Sequence, residues 1–483
     1  MTVLDLVRAH ARERPESPAL VVARRDAGPD DVVSYARLVT RADAIADRLR
    51  AGGVAPGDRC GLVAKQGRAF VEGALGILAA GGCLAPIPED TASRALEEHV
   101  REAHLHHLVT TLGVNGASEP RLVHVADVAP ADGQGDVAFR ALRPAYLRFT
   151  SGTTNRRKGV VLGHAAILAR LEAANRGLAI GQGDRVLWLL PMAHHFVVSI
   201  LLYLSRGAAV LLPAVSLARP VLELGARAGA TVLYASPFHH QLLAKDASGT
   251  KLDALRLSVS TTEGLRAQVA DAFRARFGQP LVQALGIIEV GLPVLNLASA
   301  VTKPEALGRP LPGYEVWLRG DDGKPVVTPG PDHTGELCFR GPGLFDAYLS
   351  PWTPARQVLE PDGFRTGDQG YFDADGELFL AGRRANRINL AGLKFFCEEV
   401  EAALESHPGV KRSRVSARVH PHLGDVPIAE IEPADPAQAP SAAELTAFCR
   451  ERLPAYKIPR RFELVEHIPT TASGKVVRWD PGS

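Results

Sequence analysis

Through the first three hundred residues, short apolar runs alternate with stretches whose apolar positions recur every three or four residues. RVLWLLP (185–191), AAVLLP (208–213), TVLYAS (231–236) and LRLSVS (255–260) are nearly continuous in hydrocarbon, the pattern of buried strands. SYARLVTRADAIADRLRAGG reads as a helix instead. Ser34 stands where an N-cap hydroxyl belongs, Gly52 lies just past the end, and Leu38, Ile45 and Leu49 share one face. This alternation predicts an α/β fold with largely parallel sheets covered by helices.

Near residue 308 the pattern changes. YEVWLRGDDGKPV, GELCFRG and GYFDADGELFLAG read as strands joined by Asp-Gly turns, a hairpin-rich, barrel-like β segment. Beyond Gly382 come the basic stretch RRANRINLAG and a helix carrying Glu398, Glu399, Val400, Glu401 and Leu404. The proline-rich EPADPAQAPSAAE, one more helix and a last strand complete a small α+β domain. A domain boundary is expected near Gly382 to Asn386, dividing residues 1–381 from 387–483.

Charge narrows the function classes. The 483 residues hold 55 Lys plus Arg against 53 Asp plus Glu, a net +2, which excludes the basic face of a general nucleic-acid binder. Five scattered cysteines form no CxxC pair and no Cys/His cluster, so neither a metal cage nor a disulfide framework is expected, and a reducing cytoplasm fits. The opening MTVLDLVRAHARERPES is charged where a signal peptide is apolar. ALGILAAGGCLAPIP (74–88) and FVVSILLYL (196–204) fall short of the ~20 residues of a membrane span. A soluble protein with small-molecule partners is the expectation, with no membrane and no nucleic acid.

The sharpest local signal is LRFTSGTTNRRKGVVLG (147–163). A strand runs into Thr150, Ser151, Gly152, Thr153 and Thr154, followed by Lys158 and Gly159 and a second apolar run. Hydroxyls and bare backbone N–H groups at such a turn can surround phosphate oxygens, and Lys158 adds positive charge. The order of glycine and lysine is not that of a Walker loop. Taken alone, a polar hairpin loop is the ordinary alternative.

The stretch is followed in order by PMAHHF (191–196), QALGIIE (283–289), GELCFRGPGLFDAY (335–348), FRTGDQG (364–370), GRRANRINLAG (382–392) and PTTASGK (469–475). The set resembles the signature motifs of the adenylate-forming superfamily, which includes acyl-CoA ligases, firefly luciferase and the adenylation domains of peptide synthetases. The resemblance implies a large N-terminal domain of stacked mixed sheets (1–381) that binds nucleotide and acid, and a small mobile C-terminal domain (387–483) that rotates about a hinge at 382–386 between two half-reactions. A carboxylate attacks the α-phosphate of ATP to give acyl-AMP and pyrophosphate, and a thiol, usually that of CoA, then displaces AMP.

Roles follow from the resemblance. Thr150, Ser151, Gly152, Thr153, Thr154 and Lys158 would hold phosphates, with Gly264, Leu285, Gly286 and Ile288 beside the nucleotide. Glu289 would bind Mg²⁺, a hard cation suited to carboxylate oxygen. Asp368 would accept from the ribose hydroxyls, and Arg383 would reach the nucleotide. His194, His195, Phe196 and Gly291 would line the acyl site, and Ala385 would be the hinge. INLAGLKFF (388–396) resembles the pantetheine tunnel, with Gly392 and Leu393 along it and Arg384, Arg387 and Lys394 near the CoA phosphates. Lys475 would be catalytic, its ammonium stabilising charge in the adenylation transition state.

Departures from the family cluster at the nucleotide. Leu285 stands where an aromatic residue is usual and Ile288 where Thr is usual. Thr261, Thr262 and Glu263 occupy the small-residue strip SVSTTEGL (258–265), and Asn155 and Arg157 replace Gly and Pro. Lost stacking weakens ATP and acyl-AMP alike, whereas the lost hydroxyl at 288 falls mainly on the step needing Mg²⁺ and pyrophosphate. The expectation is an acyl-CoA ligase whose adenylation is weak or lost and whose transfer from acyl-AMP to CoA survives. A partner ligase would then supply the acyl-AMP. A full two-step ligase, with CoA or a carrier protein as acceptor, and a non-catalytic acyl-nucleotide binder are the alternatives. PMAHHFVVS, SPFHH (236–240) and LGIIEVGL (285–292) are mostly apolar, which favours a bulky apolar or aromatic acid.

Overall fold

The computed structural model describes the chain apart from residues 25–27, 90, 92, 111–120, 125–132, 150–157, 360–362, 384–385, 391–392, 421–423, 471–475 and 479–483. Contacts divide the chain into two units, 1–315 with 340–364, and 316–339 with 365–483. The expected hinge at 382–386 lies inside the second unit's span, with Arg384 and Ala385 outside the described residues, so it stands as a proposal.

The first unit holds two sheets. One has nine strands, and its centre is the four apolar runs read from sequence. Ala209–Leu212, Arg185–Trp188, Val232–Ala235 and Leu257–Ser260 lie side by side and parallel. Leu281–Ile287 continues the sheet in parallel, and Gly291–Leu295 folds back antiparallel beside it. Continuous hydrocarbon suits strands covered on both faces, and the interior ones carry fully buried residues such as Leu187, Val210, Leu233 and Val259.

The other sheet has eight strands, among them Arg59–Val63, Cys83–Ile87, Pro144–Phe149 and Gly159–Gly163. Helix Tyr35–Ala51 forms as its pattern predicts. The Ser34 hydroxyl accepts from the Arg37 N–H at 3.3 Å, and Leu38, Ile45 and Leu49 are buried. Each such side chain contributes about 1.5–3 kcal/mol on burial. The helix packs on Arg68–Ala80 where Gly76 leaves room; a Cβ there would stand 2.3 Å from Ile45 Cγ2. Helix His164–Leu178 touches strands of both sheets and reaches the chemistry described below.

In the second unit the hairpin-rich segment takes the form of a four-stranded sheet that includes Gly335–Arg340, Phe364–Phe372 and Leu378–Arg383. A further sheet is built on the long hairpin of Val410–His420 and Gly424–Pro433, with helices Cys397–Glu405 and Ala442–Arg450. Val400, Leu404, Ile431 and Leu445 form its core. Among the described residues no helix is long and apolar enough to cross a membrane.

Candidate active site

In the first unit Glu289 follows the strand Leu281–Ile287 in the turn that leads to Gly291. Gly291 has φ +107°, and a Cβ there would lie 3.2 Å from the Tyr314 hydroxyl, so the turn requires glycine. The Tyr348 hydroxyl donates to Glu289 Oε1 at 3.1 Å, and the Phe345 N–H donates to the Glu289 carbonyl at 2.8 Å. The exposed Lys158 ammonium stands 4.8 Å from the centre of the Tyr348 ring. Burial raises the Glu289 pKa, opposed by its own amide, by Tyr348 and by the charges of Arg148 and Lys158. The expected metal and phosphate residues Glu289 and Lys158 are thus brought together through Tyr348.

Arg148 links this group to the acyl motif. It lies on the strand Pro144–Phe149 and donates through Nη1 to the His194 carbonyl. Its Nε is buried without a partner among the described residues, and burial lowers its pKa. His194 and His195 are half-buried on the short helix Met192–His195, and the His195 ring stands edge-on to Trp188 at 6.0 Å. Phe196, the next residue of the motif, is fully buried and packs edge-on against Phe70 at 5.6 Å.

Leu285 and Ile288 are partly buried, and Gly286 and Gly264 are exposed. The strip between them carries a finding that sequence reading did not supply. Thr262 adopts φ +83°, a region costly for a β-branched residue, and its hydroxyl is buried without a partner among the described residues. Its neighbour Thr261 donates to the Ala284 carbonyl at 3.0 Å.

In the second unit the register of Phe364–Phe372 with Leu378–Arg383 sets Asp368 opposite Arg383, and Arg383 Nε lies 3.0 Å from Asp368 Oδ1. Two residues expected at the nucleotide are therefore cross-strand partners. Their turn is held by Glu336, which is buried and accepts from Arg365 Nη2 at 2.6 Å and from the Gly367 N–H at 3.1 Å. Arg387 is engaged by Asp321 at 3.1 Å, and Leu393 is half-exposed on the strand Leu393–Phe396.

Thr150, Ser151, Gly152, Thr153, Thr154, Ala385, Gly392 and Lys475 lie outside the described residues. On either side of residues 471–475, Thr470 and Val476 pair as an antiparallel bridge. Just beyond, Arg478 is tied to Glu401 at 2.6 Å and 2.9 Å.

Sequence reading missed Tyr348, Arg148 and Glu336. Tyr348 and Glu336 lie inside quoted motifs, where any polar residue was a candidate. Arg148 carried a readable signal, a charge two residues before a glycine-rich loop on an otherwise apolar strand.

Stacked α/β sheets that present a lysine, a carboxylate and a histidine pair, followed by a small α+β unit, define the adenylate-forming class of ligases. The sequence profile of the AMP-binding enzyme matches residues 7–349, and that of the AMP-binding enzyme C-terminal domain matches residues 399–475. The chain belongs to the AMP-binding enzyme family, in its acyl-CoA ligase branch.

It is 29% identical to a sulfoacetate–CoA ligase of Cupriavidus necator, over 99% of this chain and 96% of that protein. It is 31% identical over 97% of its length to a phenyloxazoline synthase of Mycolicibacterium paratuberculosis, of which it spans 41%. The fold is that of o-succinylbenzoate coenzyme A synthetase from Bacillus subtilis solved with AMP. That comparison has a TM-score of 0.84 and 23% identity, covering 99% of this chain and 98% of the other.

Proposed function

We propose that this protein is an acid–thiol ligase that forms an acyl-CoA from a bulky apolar or aromatic carboxylic acid, with the two half-reactions unequally preserved. Transfer of the acyl group from acyl-AMP to the CoA thiol is retained, and ATP-dependent adenylation is weak or lost. A partner ligase would then supply the adenylate.

The observation that carries this reading is the make-up of the Ile287–Glu289 turn. Glu289 offers a carboxylate beside the hydrocarbon of Ile288, and the facing strip holds Thr262 in a strained backbone. A branched hydrocarbon supplies no oxygen to a metal or to its water shell. Leu285 offers the adenine no aromatic face. Both half-reactions lose the stacking, and only the first loses the help that a hydroxyl gives to metal and pyrophosphate.

Mg²⁺ remains compatible with the residues present. Among the described residues no group of three His, Cys, Asp or Glu could hold an ion alone. Glu289 makes no ion pair among them and is partly buried, so one protein carboxylate with phosphate oxygens and water could complete a coordination shell. The ion would neutralise phosphate charge when bound. The chain's own part is to hold that carboxylate through Tyr348 and to set Lys158 beside it.

Asp368, turned by Glu336 and paired with Arg383, would accept from the ribose. Lys475, in the segment that the Thr470–Val476 bridge flanks, would serve the α-phosphate and acyl oxygens. A swing about 382–386 would bring the second half-reaction's segment, with Gly392 and Leu393, to the thiol arm of CoA. The half-buried His194 and His195 would face the acid, against an otherwise apolar lining. The full two-step ligase is the second reading, supported by Lys158 and Glu289 standing together and by the likeness to the sulfoacetate–CoA ligase over nearly its whole length. Thioester yield from a panel of acids with ATP and CoA, against yield from their synthetic adenylates with CoA, separates the two.

A further inference from the structure

Three consecutive carbonyls of the turn that carries Glu289 are each tied to one other segment. Arg170, on the buried face of helix His164–Leu178, is 1% exposed. Its Nη1 donates to the Ile288 carbonyl at 2.9 Å, and its Nε donates to the Gly343 carbonyl at 3.0 Å. The Glu289 carbonyl accepts from the Phe345 N–H at 2.8 Å. The Tyr314 hydroxyl lies 3.3 Å from the Val290 carbonyl and 3.2 Å from the Pro342 carbonyl, so its one proton is shared between the same two segments.

Two glycines make room for these side chains. Gly343 has φ +70°, and a Cβ there would fall 2.6 Å from the Arg170 nitrogen. A Cβ on Gly291 would meet Arg170 Cβ at 3.3 Å and the Tyr314 hydroxyl at 3.2 Å. The guanidinium hydrogen-bonds to no carboxylate among the described residues. It feels Asp346 and Glu289 only through space. A buried charge without a direct partner carboxylate is expensive, and a well-packed apolar side chain would hold a helix to a sheet at lower cost. What an apolar residue could not do is fix two carbonyls at once, since a guanidinium is a rigid fork of donors.

We propose that Arg170 and Tyr314 are positioning residues that lock the Ile288–Val290 turn to the Pro342–Phe345 segment and so set where Glu289 presents its carboxylate to a bound nucleotide. The last clause rests on the functional reading above; the lock itself does not. Because the Tyr348 hydroxyl that meets Glu289 belongs to the strand that follows the second segment, loosening the lock displaces both ends of that hydrogen bond.

Hydrogen exchange read by mass spectrometry on the full chain tests the lock without any ligand. Arg170→Met should raise exchange at least tenfold in peptides covering 287–291 and 342–346 together, with the strand Arg59–Val63 unchanged. Arg170→Lys should recover part of that protection, and Tyr314→Phe should raise exchange in the same two segments by a smaller factor. Calorimetry with AMP alone and with Mg·ATP reads the consequence. The preference for Mg·ATP over AMP should fall by a similar factor in Arg170→Met and in Glu289→Gln, although Glu289→Gln leaves the exchange pattern as in the parent.

Unchanged exchange at 287–291, or a rise shared equally by Arg59–Val63, would overturn the proposal, the second result marking a merely structural arginine. Should Arg170→Met fail to fold, Arg170→Lys and Tyr314→Phe carry the test. Failure of the parent chain to bind AMP would overturn the functional reading and the positioning role with it, and the exchange result would tell that apart from failure of the lock.

Discussion

Glu289 and Asp368 each sit close to a glycine of positive φ, Gly291 and Gly367, yet their surroundings are opposite. Asp368 meets a guanidinium at 3.0 Å across the strand pair, and its turn is braced by a second, buried ion pair between Arg365 and Glu336. Glu289 receives a neutral phenol and feels Arg148 and Lys158 only through space, while burial raises its pKa. A carboxylate paired at short range keeps a constant charge and uses its remaining lone pairs for hydroxyl donors. One that is desolvated and short of a direct cation gains most from an incoming cation. The first is therefore suited to hydroxyl donors and the second to an incoming cation.

The largest expected effect falls on Lys475, whose charge neither turn can replace. In the Leu285→Tyr/Ile288→Thr background, where adenylation is raised enough to follow, Lys475→Ala should lower acyl-adenylate formation by about 10²–10³-fold, the usual loss when a donor to transition-state charge is removed. It should leave acyl-AMP plus CoA turnover within a few-fold of the parent. An equal fall in both half-reactions, followed by quenched-flow, would deny it a role confined to the first.

Glu289→Gln should come next in activity, with an opposite sign in stability. A carboxyl whose folded pKa is raised contributes most below its unfolded value of 4.5, and that contribution is lost as pH rises through the folded value. Above that value the glutamine variant should melt no lower than the parent, and its advantage should disappear as pH falls toward 4.5. A variant less stable at every pH would remove the contrast with Asp368.

Asp368→Ala should weaken AMP binding by about 1.5–3 kcal/mol, the worth of hydrogen bonds to a charged group. It should also free Arg383, so Arg383→Ala alone should cost less than Asp368→Ala, and the double variant less than the sum. Calorimetry of the four proteins measures that coupling.

The smallest effects should be gains. Leu285→Tyr would add about 1–3 kcal/mol of stacking. Thr262→Gly would release about 1 kcal/mol or more of backbone strain. Together with Ile288→Thr they should raise ATP-dependent thioester yield, with little effect on transfer from a preformed adenylate.

Much of this arrangement is legible in the chain and some is not, for reasons that can be located. The four parallel strands announce themselves because burial on both faces leaves no polar position to confuse the reading. Helix Tyr35–Ala51 does so because its cap and its stripe agree. Glu289, Lys158 and Asp368 stand out through short motifs, and the structure sets Lys158 and Glu289 against the same residue, Tyr348.

The pairing of Asp368 with Arg383 was not legible, because a bulge between Gln369 and Gly370 shifts the register that puts them opposite. The packing of Phe196 on Phe70 was not legible either, because an aromatic residue in a motif reads alike whether it faces a ligand or the core. Arg170 lies more than a hundred residues from the turn it holds. Its one trace in the sequence is an arginine on the otherwise apolar face of a helix. Contacts of that span are set by tertiary packing, which local pattern does not encode.

The account rests on unequal half-reactions, and one comparison reaches them directly. The purified chain is given CoA with either an aromatic acid plus Mg·ATP or the same acid's synthetic adenylate, and thioester formation is followed by mass spectrometry. Rapid acyl-CoA from the adenylate and little or none from the acid and Mg·ATP is the predicted result. Equal rates from both mixtures, across a panel of acids, would contradict it.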